Sequence, residues 1–367
     1  MNIKKIAVLG AGHGGYAAAA ELTARGFEVR LHGRRQETLD PLREEGGIKT
    51  NGIQKGVFPI ALATTEINKA IEGVDLIMLV VPSVAHENYA RVLAPLLTPE
   101  TPIFVNPGHT GGALHFVNEL RKAGYIDQVK TCETVTLTYI CRKTAPNTVD
   151  IFSFTKNLKF AAFPGKFAPE MFELVKPLYP EITLVSSVLE TALTNINAVF
   201  HAPGMLMNAG WIEDTGGDFL FYREGITPAI GRVIADLDSE RMAVAKALGV
   251  PTASFLDNFY QAGLTTLEAK ESGDISKACY ESEANVKIQS PSTLDHRYIH
   301  EDVGYGLVPF ANFGRLAGIE TPTIDGIIHL TSEIMEIPYL SEGLSLNAMG
   351  LSGLDLAEVW RFVEDGE

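Results

Sequence analysis

The run Lys5-Ile-Ala-Val-Leu9 leads directly into Gly10-Ala-Gly-His-Gly-Gly15, and small residues at helical spacing continue to Arg25. A β-rich run, a GxGxxG turn and a helix, in that order, leave few folds open to the chain. Gly10 permits the tight turn, Gly12 lets backbone approach a pyrophosphate, and Gly15 lets helix and strand pack closely. The helix opens on free N–H groups and the positive end of its dipole, which together bind an anion. Gly10, Ala11, Gly12, His13, Gly14 and Gly15 are therefore the expected cofactor cradle. A kinase glycine loop fits poorly, because no HRD or DFG triplet follows.

The rest of the first half alternates short apolar runs with helical periods. Strands are expected at Glu28–Leu31, Leu76–Val81 and Ile103–Asn106, and helices at Ile67–Glu72 and Ala85–Leu97. Continuous apolar runs such as Leu76–Val81 belong to parallel sheets covered on both faces. From Leu189 the spacing turns helical, at Leu189–Val199, Ala229–Leu248, Ala253–Ala262, Leu307–Ala317 and Thr323–Ile334. The reading is an α/β Rossmann-type doubly wound sheet followed by an all-α domain. Residues 1–186 form the first domain and 187–367 the second, with the border near Ser186–Ser187. No Gly/Ser-rich linker, repeat or low-complexity tract separates them, so close packing with a cleft is expected.

Composition narrows the partners. The 367 residues are 46% apolar and 20% charged, an ordinary globular balance. Thirty Lys and Arg against 45 Asp and Glu give a net charge of −15, which argues against nucleic acid and anionic membrane. A few local arginines can still hold a small anionic substrate. The longest strongly apolar run, Leu76–Pro82, is far short of the roughly 20 residues of a membrane span. Met1–Gly10 has the lysines and apolar residues of a signal peptide, but glycines and His13 interrupt it, so it reads as strand and helix. Cys132, Cys141 and Cys279 form no CxxC and no even framework, which suits a reducing compartment and a cytoplasmic location.

The end of the second strand discriminates cofactors. An NAD enzyme usually places Asp or Glu there to bind the ribose 2′-OH. This chain has Leu31-His32-Gly33-Arg34-Arg35 instead. Guanidinium binds phosphate bidentately and stacks on adenine, so NADP is favoured over NAD. The bland alternative is a solvated turn. Val81 and Pro82, and then Asn106, Gly108, Thr110 and Gly111 of the loop Asn106–Gly112, follow the next two strands. Carboxyl ends of strands are where an open α/β sheet binds its ligand, although an ordinary βα turn explains these residues as well.

Two polar clusters stand out in the second half. Asn197 and His201 are i, i+4 on one helix face, and Ala202-Pro203 is expected to kink or break that helix. Histidine suits proton transfer near neutral pH, and a carboxylate on its other nitrogen would fix the tautomer. A buried histidine that merely satisfies a hydrogen bond is the commoner case. The second cluster is His296-Arg-Tyr-Ile-His-Glu-Asp302. His296 and His300 have helical metal-ligand spacing but lack HExxH and a third partner, so no metal is expected. Arg297 could clamp a substrate carboxylate. The other histidines read as structural or surface residues, with His109 set in a cleft loop.

Six blocks together resemble the opine dehydrogenases, the octopine/nopaline dehydrogenase family. They are AVLGAGHGGYA (7–17), NPGHTGGAL (106–114), LTNINAVFH (193–201), YREGITPAIG (222–231), RYIHEDVGYGLVP (297–309) and MGLSGL (349–354). The likeness spans nearly the whole chain. It implies a Rossmann domain followed by a helical domain like the C-terminal one of 6-phosphogluconate dehydrogenase, usually in a homodimer. It implies reductive condensation of an amino acid with a 2-keto acid, using NAD(P)H. The family's catalytic His–Asp pair matches His201 and Asp302, and its helix Asn matches Asn197. Carboxylates would then be held by Arg297 and the loop carrying Thr110 and Gly111. Bacterial members carry acidic residues around the second-strand end, where this chain has Gly33 and Arg35, so cofactor preference does not transfer. Phe255–Ser290 is less similar, so amino-acid specificity does not transfer either. The rival reading is a ketopantoate-type or 2-hydroxyacid reductase, which typically uses a lysine in the helical domain. Leu193–His201 contains none. A nucleotide-sensing binding protein is a third reading, opposed by the His201–Asp302 match.

Overall fold

The structure is a computed structural model and describes residues 3–367. Met1 and Asn2, the start of the segment considered as a signal, lie outside the described residues. The chain forms two compact units. One comprises the residues up to Gly108, then Gly112–Thr191 and Arg361–Glu367; the other comprises His109–Gly111 and Ala192–Trp360.

The first unit carries twelve strands among its described residues: β1 (Lys5–Leu9), β2 (Glu28–His32), β3 (Ile48–Gly52), β4 (Gly56–Phe58), β5 (Leu62–Thr64), β6 (Leu76–Leu79), β7 (Ile103–Val105), β8 (Thr131–Thr134), β9 (Tyr139–Ala145), β10 (Thr148–Phe154), β11 (Leu158–Phe163) and β12 (Ile182–Leu184). Six of them are parallel in the order β5-β2-β1-β6-β7-β8, and β11 joins β8 antiparallel with β12 beyond it. The sheet therefore reverses direction of growth between β1 and β6, with Leu9 beside both His32 and Leu79. Ligands of doubly wound sheets bind at such a switch point. All four residues of β6, and Ile6–Leu9 of β1, are buried, as expected for strands covered on both faces.

A second sheet, β4-β3-β10-β9, was not legible from periodicity. Its strand Ile48-Lys-Thr-Asn-Gly52 buries only Ile48 and Thr50, so it offers two inward residues rather than an apolar run. The last residues of the chain also belong to this first unit. The rings of Phe163 and Phe362 lie 5.3 Å apart, the Arg121 guanidinium sits over Phe362, and it donates to the Gly366 carbonyl.

The second unit is helical. Among its described residues the β structure is a single bridge, Leu220 to Gln289. Its longest helix, Pro228–Ala247, begins with Pro at its first position, where no N–H is needed, and with the Thr227 hydroxyl accepting from Ile230 N. Arg241 on this helix is fully buried. It donates to Asp238 (2.6 and 2.9 Å), Thr252 Oγ1 (3.0 Å) and the carbonyls of Leu193 and Ala253, so the desolvated charge is paired on every side. That cluster fixes the start of the unit against its longest helix.

The single helix expected over Leu189–Val199 is in fact two, Val188–Thr194 and Asn197–Met207. The Asn195 side chain accepts from Asn197 N at 3.1 Å, offering the backbone a competing partner that ends one helix and starts the next. The break expected at Ala202-Pro203 does not occur there, and the helix runs on through Pro203 to Met207.

Candidate active site

The glycine turn has the form that a pyrophosphate requires. Gly12 caps the helix His13–Ala24 without any side-chain bond, and both Gly12 and His13 are exposed. A Cβ on Gly12 would meet nothing within 4 Å, whereas one on Gly15 would lie 1.7 Å from the Gly10 carbonyl. Space is thus left open where a ligand approaches and closed where helix meets strand, so the residues fit a dinucleotide. Ala11 is half-buried and Gly14 buried beside them. Arg34 and Arg35 are both exposed just past β2, while His32 turns inward, 3.1 Å from the Tyr89 hydroxyl. Val81 is partly buried and Pro82 exposed, just past β6.

Asn106 is fully buried. Its Oδ1 accepts from Thr138 N (3.1 Å) and Thr134 Oγ1 (3.3 Å), and its Nδ2 donates to Thr138 Oγ1 (2.9 Å). Its side chain and its N–H are both engaged inside the unit, the N–H with the Leu79 carbonyl at 2.9 Å, which leaves its own carbonyl for any ligand. Gly108 lies against Glu133, whose carboxylate a Cβ there would strike at 2.1 Å. Glu133 went unnoticed in the sequence, although it is the acid at the carboxyl end of β8. It is wholly buried and accepts from Ala113 N (2.7 Å) and from the Thr191 hydroxyl. Burial pushes its carboxyl up to about 7.

The helical unit brings His201 and Asp302 together across 101 positions of sequence. His201 Nδ1 lies 2.8 Å from Asp302 Oδ2, and both side chains are buried. A carboxylate only accepts, so the proton sits on Nδ1 and Nε2 presents its lone pair. That Nε2 is 2.8 Å from the Tyr222 hydroxyl, which is 3.1 Å from the Tyr298 hydroxyl. The imidazole is sandwiched between Tyr298 (centroids 3.7 Å apart) and Phe200 (4.3 Å). Burial holds the His201 pKa below its usual value, against the opposing pull of Asp302. Tyr222 and Tyr298 were not read as site residues. Both lie inside the family-like blocks, but no spacing rule marks them.

Close backbone approach makes this pairing possible. After the helix Arg297–Asp302 comes a π-helical turn, Val303–Leu307. A Cβ on Gly306 would lie 2.4 Å from Ala198 Cβ, so glycine lets this turn lie against the helix that carries His201. Such widened turns recur at functional sites.

The helical unit also carries the remaining candidates. Asn197 is half-buried, one turn before His201. Arg297 is 53% exposed and 3.4 Å from Glu301. Thr110 is held by Asn195, whose Nδ2 donates to its hydroxyl at 3.0 Å, and Gly111 adopts φ +76° against Met349. His296 instead caps the helix Arg297–Asp302, accepting from Tyr298 N at 3.2 Å. His300 bonds Asp295 (2.9 Å) and the Tyr339 hydroxyl (2.7 Å). Among the described residues no three His, Cys, Asp or Glu are grouped to hold a metal ion.

Known proteins share this architecture. A family model described as NAD/NADP octopine/nopaline dehydrogenase, alpha-helical domain, matches residues 184–335. One described as NAD-dependent glycerol-3-phosphate dehydrogenase N-terminus matches residues 5–112. An opine dehydrogenase of Arthrobacter sp. (strain 1C) is 34% identical over 366 residues, covering 98% of this chain and 99% of that one. Octopine dehydrogenase solved with NADH and L-arginine matches with a TM-score of 0.76 at 20% identity, over 97% of each chain. A ketopantoate reductase of Ralstonia eutropha JMP134 is more distant, with a TM-score of 0.61 at 18% identity, over 90% of this chain and 98% of that one. The expected order, a Rossmann domain followed by a helical one, is the order these matches have. On that full-length likeness, the chain belongs to the opine dehydrogenase family of NAD(P)-dependent oxidoreductases.

Proposed function

We infer that the chain joins the amino group of an amino acid to a 2-keto acid such as pyruvate and reduces the resulting imine, with His201 and Asp302 as its proton-handling pair. The observation that carries this reading is the 2.8 Å contact of His201 Nδ1 with Asp302, buried in the helical unit and continued from Nε2 to two tyrosine hydroxyls. Gly10–Gly15, Val81, Pro82 and the backbone of Asn106 and Gly108 would hold the dinucleotide. When bound, it supplies the hydride that reduces the imine carbon.

The chain's own residues handle charge and protons. Neutral His201 accepts a proton at Nε2, and Asp302 stabilises the imidazolium that results. The same nitrogen returns the proton to the oxygen that leaves as water. Tyr298 and Phe200 hold the ring in plane, so the lone pair points one way. Asn197 shares the His201 helix face and serves to orient substrate. Arg297 and the loop at Thr110 and Gly111 hold carboxylates, with the half-exposed guanidinium free to swing onto one.

Exposed Arg34 and Arg35, with no acid at the end of β2, favour NADP over NAD. Three unpaired thiols suit a cytoplasmic protein. Exposed Leu330, Ile334 and Leu340 in the helical unit support a homodimer, checked by light scattering.

The test is oxidation of NADPH, with NADH in parallel, given pyruvate alone, mixed amino acids alone, and both together. Oxidation that requires both substrates is the expected outcome. Oxidation with the keto acid alone would establish a hydroxyacid reductase instead.

A further inference from the structure

A second histidine–carboxylate couple lies in the same unit as His201 and Asp302. His109 belongs to the loop after β7, but it is a residue of the helical unit. Its backbone is left-handed, with φ +53°. Only two other non-glycine described residues share that region, Asn157 and the helix-ending Glu336. A histidine costs free energy there, and such strain collects where a side chain must be aimed. The imidazole is 5% exposed, and its Nε2 is 3.6 Å from Glu301 Oε1. The other oxygen of Glu301 is 3.4 Å from Arg297. His109 Nδ1 is buried with no hydrogen-bond partner among the described residues. A buried polar atom left without a partner carries its full desolvation cost, which a ligand N–H would relieve.

The placement matters because Glu301 immediately precedes Asp302 on one short helix. A positive charge on His109 would oppose one on His201. One helix thus orients two imidazoles. Glu301 only accepts, so it favours the proton on Nε2 and leaves the Nδ1 lone pair as an acceptor. His201 Nε2, by contrast, has the Tyr222 hydroxyl as a partner at 2.8 Å.

Condensation needs a base for the amine before it needs an acid for the departing oxygen. An amino acid arrives as an ammonium ion, which has no lone pair to attack a keto carbon. Resting on the condensation reading above, we propose that His109, oriented by Glu301, takes the proton from the ammonium group of the amino-acid substrate. The N–H bond breaks, the proton passes to Nδ1, and the freed electron pair on nitrogen attacks the keto carbon. The imidazolium charge is countered by Glu301. His201 is left to serve the oxygen that departs as water.

Glu301 faces His109 directly, Arg297 lies against the other oxygen of that carboxylate, Asp302 follows it on the same helix, and His201, on the helix Asn197–Met207, interacts with His109 electrostatically. The segment Leu344–Leu354, packed on the loop through Met349, contains no titratable residue.

The test compares wild type with His109→Asn and Glu301→Gln, measuring kcat/KM separately for amine and keto acid from about pH 7 to pH 9.5. Wild type must first need both substrates; if it does not, the condensation reading fails and not this one. A variant without the base can use only amine already deprotonated in solution. Its kcat/KM for amine is then expected to fall at least about tenfold at pH 7, and to recover about tenfold per pH unit as free amine accumulates. The keto-acid KM stays within about twofold. Glu301→Gln shows the same slope with a smaller loss, and reports independently if His109→Asn folds poorly. A loss of equal size at every pH, a loss confined to the keto-acid KM, or full activity of both variants would overturn the proposal.

Discussion

Asp302 fixes which nitrogen of His201 carries the proton, so its carboxylate charge matters more than its bulk. Asp302→Asn keeps the shape but offers an amide N–H toward Nδ1, which favours the wrong tautomer. Turnover should fall by about 10²–10⁴, the range of a lost general base, and His201→Ala should fall as far. Dinucleotide affinity, read by fluorescence titration, stays within about twofold in both. Equal losses in turnover and affinity would refute the assigned role. Because burial lowers the His201 pKa, catalysis that needs the neutral imidazole continues below pH 6.5, and the acid limb of kcat/KM lies on that side. At the other candidate contact, Arg34→Ala with Arg35→Ala should lower kcat/KM for NADPH about 10²–10⁴-fold and leave NADH nearly unchanged, since charge-assisted hydrogen bonds contribute about 1.5–3 kcal/mol each. At this scale His201 and Asp302 were legible only through the family likeness, because nothing local links residues 101 apart. Tyr222, Tyr298 and Glu133 were not legible. Each acts through a partner distant in sequence, and an aromatic or acidic residue alone carries no sign of that.

The glycine at position 306 shows what an element contributes to the site. Gly306 is where the π turn meets Ala198, and a methyl group added there has only 2.4 Å to the neighbouring Cβ. Gly306→Ala is expected to cost about 1–3 kcal/mol, as overpacking does, measured as a urea midpoint. Turnover should drop by more than the folded fraction accounts for, since the turn and the His201 helix must part. Full activity at reduced stability would show that the pairing tolerates the shift. Elements with strong periods were readable: β1, the helix after it, and the long helix expected at Ala229–Leu248 and found at Pro228–Ala247. Short ones were not. The helix Arg297–Asp302 has six residues, and the helical break at Asn195 depends on a side chain competing with backbone. Polar strands such as β3 carry too few buried residues to announce themselves.

Across the whole molecule, pH acts through buried groups of opposite sense. Glu133 is pushed up to about 7 from 4.5, so the folded chain keeps a proton that the unfolded chain has lost. Its contribution to stability is full below about pH 4.5 and is lost as pH rises through about 7, a change of about 3 kcal/mol. His115, lowered to about 4 mainly by burial, works the other way. Its contribution is full above about pH 6.5 and is lost as pH falls toward 4. Glu133→Gln can keep both contacts, accepting from Ala113 N and donating to the Thr191 oxygen. The variant should match wild type near pH 5 and exceed it by up to about 3 kcal/mol near pH 8, read by urea unfolding at each pH. Equal stability at both would mean Glu133 is ionised without penalty. The division into a cofactor half and a helical half was legible, because strand-and-helix alternation gives way to helical spacing. That three residues of one loop belong to the helical unit, and the last seven residues to the first, was not.

Those last residues bear on how the protein is made. A ribosome releases the chain in order, so the strands from β1 to β12 emerge well before Phe362 and Gly366, with Ala192–Trp360 of the helical unit between. Phe163 and Arg121 must wait for their partners through the synthesis of Ala192–Trp360. The nascent cofactor half therefore spends that interval with Phe163 lacking its ring partner, and the helical half is the first whose polypeptide is complete.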